Sequence, residues 1–155
     1  MDLEPQPLSD GSWSWTARFR GLIRLKYSAS SSNPVALDFD IEGDANANPT
    51  RSDGVNSVTL RNQAIAALQK ADPGLKVSFT LPVNETGFDS SEIGVLQNAV
   101  SNGVALSVVN IMTMDFGEAI ASGQFGSVVT TAANDTLSQM SAISARDYDV
   151  DRHER

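Results

Sequence analysis

Residues 36–43 read ALDFDIEG, and this short stretch places three acids, Asp38, Asp40 and Glu42, at every second position between apolar residues. Side chains of a β-strand alternate between its two faces, so the stretch predicts a strand with one acidic face and one apolar face. Acidic residues are uncommon in strands, and like charges along one face repel each other. The pattern works against stability, which indicates that function rather than folding accounts for it.

Strand and helix patterns alternate along the rest of the chain. LKVSFTLPV and LSVVNIMTMDFG predict two further strands, so that strands over about 35–42, 75–83 and 106–115 should be adjacent, parallel and ordered as in the chain. Apolar spacing predicts helices in SVTLRNQAIAALQKA, in SEIGVLQNAVS with Ser90 or Ser91 as its cap, and in GSVVTTAANDTLSQMSAI. This alternation predicts an α/β fold with a parallel sheet, either open or closed into an eight-stranded barrel.

Composition limits the classes of partner. At 155 residues the chain is long enough for one core, and its formal net charge of −8 argues against binding to nucleic-acid phosphates. No stretch reaches the length of a membrane span, and the N-terminus has no visible export signal. Cysteine is absent, which excludes disulfides and thiolate metal sites. A neutral or cationic partner fits this charge best.

The two ends of the chain depart from the alternating pattern. Residues 1–33 are polar and turn-rich at first, and TARFRGLIRLKYSASSSNP then suggests a basic helix, either a solvated face or a nucleic-acid or membrane contact. The tail RDYDVDRHER, residues 146–155, is highly charged and is expected to be disordered. It holds the only histidine, His153, so a nucleophile–histidine relay would depend on a flexible terminus and is rejected.

Three interpretations of the acidic strand compete. The first is an edge strand whose acids are simply solvated. The second is a Mg²⁺ or Ca²⁺ site, with further oxygen ligands from the loop GDANANPTRSDG. The third is acid catalysis, because crowded carboxylates cannot all ionise, so that one keeps a proton near neutral pH and can donate it. The third arrangement suits a glycosidase.

The acidic strand resembles a known signature. LDFDIEG is similar to the fourth-strand motif of glycoside hydrolase family 18, the chitinase family, whose last three acids match Asp38, Asp40 and Glu42. LKVSFTLPV is similar to that family's fifth strand, and VVNIMTMDFG to its sixth. The resemblance covers residues 34 to 133 approximately and implies part of a TIM (β/α)8 barrel. The implied domains are an unrelated segment 1–33, a partial catalytic domain 34–145 and the tail 146–155.

The resemblance also implies roles for individual residues. Glu42 would be the general acid and base, Asp40 would orient the substrate's acetamido group, and Asp38 would tune Asp40 electrostatically. Asp115, Met112 and Met114 would contact the same sugar, although core packing is the alternative for both methionines and the favoured one for Met112. No cofactor or metal is implied.

The implied activity is hydrolysis of chitin or N-acetylglucosamine oligosaccharides by a substrate-assisted, retaining mechanism. The implied location is extracellular. Because only three of eight barrel strands are recognisable, the chain is expected to be a truncated fragment with little or no turnover. The alternatives are a non-catalytic or vestigial carbohydrate-binding protein and a metal-binding regulatory domain of doubly wound type. The oligomeric state is not indicated by the sequence.

Overall fold

The computed structural model describes residues 2–7, 13–18, 24–29, 36–47, 50, 54–116 and 120–153 of the chain. The described part contains six strands and four helices. The strands are β1 (Asp2–Pro7), β2 (Trp13–Arg18), β3 (Arg24–Ala29), β4 (Ala36–Asp40), β5 (Lys76–Pro82) and β6 (Val108–Met112). The helices are α1 (Asp44–Ala47), α2 (Ser57–Ala71), α3 (Ser90–Ser101) and α4 (Phe125–His153).

Strands β4, β5 and β6 form a parallel sheet in that order, which confirms the predicted adjacency and direction. The register places Phe39 opposite Phe79, and Thr80 opposite Asn110. Strand β6 ends at Met112, earlier than the predicted end near residue 115. A continuous apolar run carries no alternation to mark where pairing stops, which is why its end was misplaced. The described fold is therefore mixed α/β with a three-stranded parallel sheet.

One face of this sheet packs against the helices and forms the core. Its odd-numbered side chains Ile41, Val77, Phe79 and Leu81 are buried, and Leu37 and Phe39 pack against them. The helices contribute mainly aliphatic residues to the same cluster: Val58, Ile65, Leu68, Val95, Leu96, Ala99, Ala132 and Ile143. The apolar face predicted for residues 36–43 is therefore the one that packs on the helices. Burial of this face fixes the register, because a one-residue slip would turn the acids inward.

Helix α3 begins differently from the prediction. Its N-cap is Asp89, whose side chain and the Glu92 carboxylate form a reciprocal capping box, so the expected cap at Ser90 or Ser91 is wrong. Glu92 Oε2 accepts a hydrogen bond from the Asp89 N–H at 3.0 Å. An acid at the N-cap and another three residues later satisfy the free N–H groups of the first turn and complement the helix dipole. Serine is also a good cap, which is why the two serines looked sufficient.

A seam of amide side chains joins α2 to α3. Asn62, which is fully buried, donates to the Asn98 side-chain oxygen at 2.9 Å. Asn98 in turn donates to the Thr59 hydroxyl at 3.0 Å and accepts from Asn102 at 3.1 Å. Apolar spacing predicted helix α2, whereas the buried face of this helix is partly polar. The two helices are therefore held by directed hydrogen bonds as well as by apolar contact.

Two glutamines attach loops to neighbouring helices. Gln69 of α2 exchanges two hydrogen bonds with the backbone of Ala105, at 2.8 and 2.9 Å, just before β6. Gln139 of α4 does the same with the backbone of Phe88, at 2.8 and 3.0 Å. Each primary amide supplies one donor and one acceptor and so pairs with a peptide group as a strand would. These contacts fix the entry to β6 and the loop between β5 and α3.

The N-terminal segment is not helical where it is described. Strands β1, β2 and β3 form an antiparallel sheet, with Trp15 opposite Tyr27, so the expected basic helix within residues 16–34 is wrong. In RLKYSA the basic and polar residues alternate one by one with Leu25, Tyr27 and Ala29, which is the strand period. Residues 19–23 and 30–35 lie outside the described residues. Basic residues occur in helices and in strands, so the positive charges of this segment do not distinguish between the two.

Helix α4 extends beyond its predicted end near residue 143. It runs to His153, into the charged segment that was expected to be disordered. Extending an existing helix adds one hydrogen bond for each residue fixed, which costs far less than starting a new one.

Candidate active site

The three acids of β4 lie on the face of the sheet opposite the core. Asp38, Asp40 and Glu42 are exposed, whereas Ile41 between them is 2% exposed. The Ile41 N–H donates to the Thr80 carbonyl at 3.0 Å, so pairing with β5 continues one residue beyond the end of β4. This keeps Glu42 within the strand alternation. The backbone thus places the three acids in a row, with their Cα atoms about 7 Å apart, leading toward the carboxyl end of the strand.

Asp38 is held by donors from β5 and β6. Its carboxylate accepts from the Ser78 hydroxyl at 2.5 Å and from the Thr80 hydroxyl at 2.8 Å. The Asn110 side-chain amide of β6 lies 3.5 Å from the same carboxylate and donates to the Thr80 oxygen at 3.3 Å. A merely solvated edge acid would not collect such partners. We call Asp38, Ser78, Thr80 and Asn110 the polar cluster of the open face.

The chain turns sharply after Glu42. Gly43 adopts a φ of +53°, a conformation that residues with a Cβ rarely take, and the Asn46 N–H closes the turn onto the Gly43 carbonyl at 3.0 Å. The Asn46 side chain is buried and donates to the Glu92 carboxylate of α3. The loop that follows the acidic strand is therefore attached to the helix layer. This contact fixes the backbone next to Glu42.

The residues predicted on the sixth strand lie at and beyond its end. Met112 is the last residue of β6 and is partly buried, and Met114 is 58% exposed. The register pairs Met112 with Pro82 on the open face, while Val109 and Ile111 pack on the core, so Met112 is not part of the described core.

Asp115 is exposed and has a left-handed backbone. It is the one described non-glycine residue with a positive φ, +55°. Such a conformation costs free energy for any side chain, although aspartate and asparagine tolerate it best. Strained residues occur preferentially at functional sites. Phe116, the next residue, packs against Phe125 with ring centroids 5.7 Å apart.

Sequence reasoning did not single out Ser78, Thr80 and Asn110. Each is an ordinary polar residue in its own strand, and only the pairing of β4 with β5 and of β5 with β6 brings them together. Alternation in LKVSFTLPV does place Ser78 and Thr80 on one face, and the expected parallel order would align that face with the acids. This alternation is the sequence signal that identifies Ser78 and Thr80 as neighbours of the acids.

Two further properties bear on the competing interpretations. The described residues contain no group of three or more histidine, cysteine, aspartate or glutamate side chains placed to share a metal ion. None of the helices in the described part of the chain is long and apolar enough to cross a membrane.

Fold and site together define an α/β protein with a row of carboxylates on the open face of a parallel sheet. Comparison with known proteins makes this class more specific. The chain is 32% identical over 130 residues to the probable bifunctional chitinase/lysozyme of Escherichia coli (strain K12), a match that covers 77% of this chain and 14% of that protein. It is 37% identical over 92 residues to endochitinase 11 of Metarhizium anisopliae, covering 57% of this chain and 16% of that protein.

The chain therefore spans only a small part of the curated relatives it matches. No protein-family model matches it, and no solved structure is significantly similar to it. The two relatives support a chitinase-like sequence and, at that level, a glycoside hydrolase.

Proposed function

We propose that this chain carries the catalytic strand of a chitinase-like glycoside hydrolase of family 18, which hydrolyses β-1,4-linked N-acetylglucosamine polymers. The mechanism is substrate-assisted and retains the anomeric configuration. The parallel sheet would be part of a TIM (β/α)8 barrel, with β4, β5 and β6 as its fourth to sixth strands. Because the polymeric substrate is found outside cells, the protein would act outside the cell.

Each acid has a role in this proposal. Glu42, at the carboxyl end of the row, protonates the glycosidic oxygen and later activates water. Asp40 stabilises the positive charge that develops when the substrate's acetamido oxygen attacks the anomeric carbon. Asp38 supplies a fixed negative charge beside Asp40. Asp115, Met112 and Met114 contact the sugar from the side of β6.

The polar cluster is the observation that carries the proposal. On a solvated edge strand the acids would extend into water, whereas Asp38 turns along the sheet toward two hydroxyls of β5. Asp40 and Glu42 are exposed on the same face, where a substrate can reach them. The two chitinase-named relatives give this arrangement its substrate class.

The decisive experiment follows binding and hydrolysis separately in the full 155-residue chain. N-acetylglucosamine oligomers and their fully deacetylated counterparts are titrated into labelled protein by NMR, and cleavage is followed by mass spectrometry. We expect selective shifts of β4 and β6 amides with the acetylated oligomers only. Because three described strands line only one side of a sugar chain, we expect little turnover.

Two variants connect any turnover to the site. Glu42→Gln keeps the shape of the side chain but cannot transfer a proton, so turnover should fall by about 10²- to 10⁴-fold while oligomer binding persists. Glu85→Gln, the same change at an exposed glutamate outside the acidic row, is the control and should leave turnover as it is. Binding without turnover in the parent chain would favour a carbohydrate-binding protein. Equal cleavage of acetylated and deacetylated oligomers would exclude the substrate-assisted mechanism.

A further inference from the structure

The Asp38 carboxylate occupies a position that three different strands determine. Its own strand β4 brings it to the open face, and β5 contributes Ser78 and Thr80 directly beside it. Strand β6 contributes Asn110, which is opposite Thr80 in the register. A carboxylate has about four acceptor positions, and these three donors approach three of them. Rotation of the carboxylate would break several hydrogen bonds at once.

We propose that Ser78, Thr80 and Asn110 are positioning residues, which hold Asp38 as a fixed hydrogen-bond acceptor on the open face. The arrangement itself is independent of the enzyme's reaction. Its meaning for sugar binding rests on the function proposed above, in which the charge of Asp38 acts on the neighbouring Asp40.

Asn110 gives the polar cluster its direction. An amide nitrogen can only donate, so the contact of 3.3 Å makes the Thr80 oxygen an acceptor of the Asn110 hydrogen. The single hydrogen of the Thr80 hydroxyl is then free to point to Asp38, at 2.8 Å. The Asn110 amide nitrogen is also 3.5 Å from the Asp38 carboxylate. Asn110 therefore both orients the Thr80 hydroxyl and lies close to the acceptor of that hydroxyl. Donation runs from β6 through β5 to β4.

Sheet stabilisation alone does not explain this arrangement. Asp38 and Asn110 are exposed, and cross-strand polar pairs in water contribute little. The polar cluster also lies on the face opposite the described core, so it adds nothing to the packing of that core. What it does accomplish is to immobilise one carboxylate beside the two other acids of the row, Asp40 and Glu42. Immobilised charge is what an active site requires.

The first test follows the Asn110 side-chain amide in the full chain by NMR. Thr80→Val removes the hydroxyl with little change of shape, and Asp38→Asn removes the carboxylate charge. We expect each to shift the Asn110 side-chain resonance, and Thr80→Ser to restore it toward the parent position. Thr113→Val is the matched control, the same change at a partly buried threonine just beyond β6, and should leave the resonance in place. If Thr80→Val does not fold, Ser78→Ala provides the same comparison.

The second test measures binding of an N-acetylglucosamine oligomer to the same variants. Loss of one hydrogen bond to the charged group should weaken binding about tenfold in Thr80→Val, with recovery in Thr80→Ser. A parent chain that binds no oligomer, with the Asn110 shifts present, would refute the proposed function and leave the positioning role intact. The positioning role would be overturned if the Asn110 resonance does not shift in Thr80→Val and Asp38→Asn. It would also be overturned if the resonance shifts by the same amount in Thr113→Val.

Discussion

Replacing Phe39 by leucine should loosen the acidic strand from the rest of the sheet. β4 is at the edge of the described parallel sheet, and Phe39 is directly opposite Phe79 in β5. The two rings meet edge to face, with centroids 5.9 Å apart and planes at 80°. Phe79 is completely buried, so Phe39 is, with Leu37, one of the side chains through which β4 contacts the core.

The magnitude follows from what leucine lacks. An edge-to-face pair contributes about 0.5–1.5 kcal/mol beyond the burial of its surface. The smaller side chain of a partly buried position removes about 20 Å² of apolar contact, which is worth about 0.5 kcal/mol. Together the substitution should cost about 1.4 kcal/mol, which is a tenfold change in an equilibrium between closed and open states.

Native-state hydrogen exchange measures this opening at two backbone hydrogen bonds. The Ile41 N–H bonds to Thr80 across the pairing of β4 with β5, and the Ser107 N–H bonds to Val77 on the β6 side of the sheet. In Phe39→Leu we expect the Ile41 amide to exchange about tenfold faster and Ser107 to change much less, because a local opening of β4 does not require β6 to open.

Phe88→Leu is the control, since Phe88 is buried in the same core but is not part of β4. It should lower the global stability without a selective effect on Ile41. Equal acceleration at Ile41 and Ser107 in Phe39→Leu would refute the idea that this ring contact holds an edge strand that can open independently.

Three other outcomes are expected. Asp115→Asn should keep the left-handed backbone and leave the unfolding free energy unchanged. Asp115→Ala should lower the unfolding free energy by about 1 kcal/mol, as measured by urea titration. Equal unfolding free energies for the two variants would show that the positive φ is not the cause. Burial lowers the pKa of the Arg61 guanidinium, and two of its nitrogens have no hydrogen-bond partner among the described residues, so Arg61→Met should raise the unfolding free energy by about 1 kcal/mol. Because the folded-state pKa of Arg61 is the lower one, the penalty is fully present below it, so the gain should be constant across neutral pH and shrink only in strong alkali. Mg²⁺ or Ca²⁺ should leave the melting temperature of the chain unchanged, and a clear rise would favour the metal interpretation of the acidic strand.

Residue patterns predicted the parallel sheet well because burial acts on single residues. In ALDFDIEG and KVSFTLP the alternation of Phe39 and Phe79 with polar neighbours records which face is buried, so the direction of the acids followed from it. Apolar runs were less informative. The stretch from Val108 onward gave no sign that pairing ends at Met112, because nothing in it alternates.

Contacts between distant residues were mostly beyond sequence reasoning. The polar cluster joins residues 40 and 72 positions apart, and none of its members is unusual by itself. The three-residue spacing of Asp89 and Glu92 is a capping-box pattern and indicates the cap. The two serines that follow Asp89 are equally good cap residues, so the sequence does not decide among the three. Charge misled in the N-terminal segment, since basic residues are compatible with a helix and with the strand that Arg24–Ala29 forms.

The asparagine seam between α2 and α3 has a consequence for how uniquely this fold packs. Apolar helix surfaces tolerate sliding, because one aliphatic contact can replace another at similar free energy. A slide of one helical turn, about 5.4 Å, would instead separate the completely buried Asn62 amide N–H from its acceptor, the Asn98 side-chain oxygen. Alternative packings of the two helices are thereby penalised, much as a buried asparagine selects one alignment in a coiled coil. Replacing these asparagines by leucines would remove that penalty. The helices behind the acidic strand would then be more stable but less restricted to one alignment.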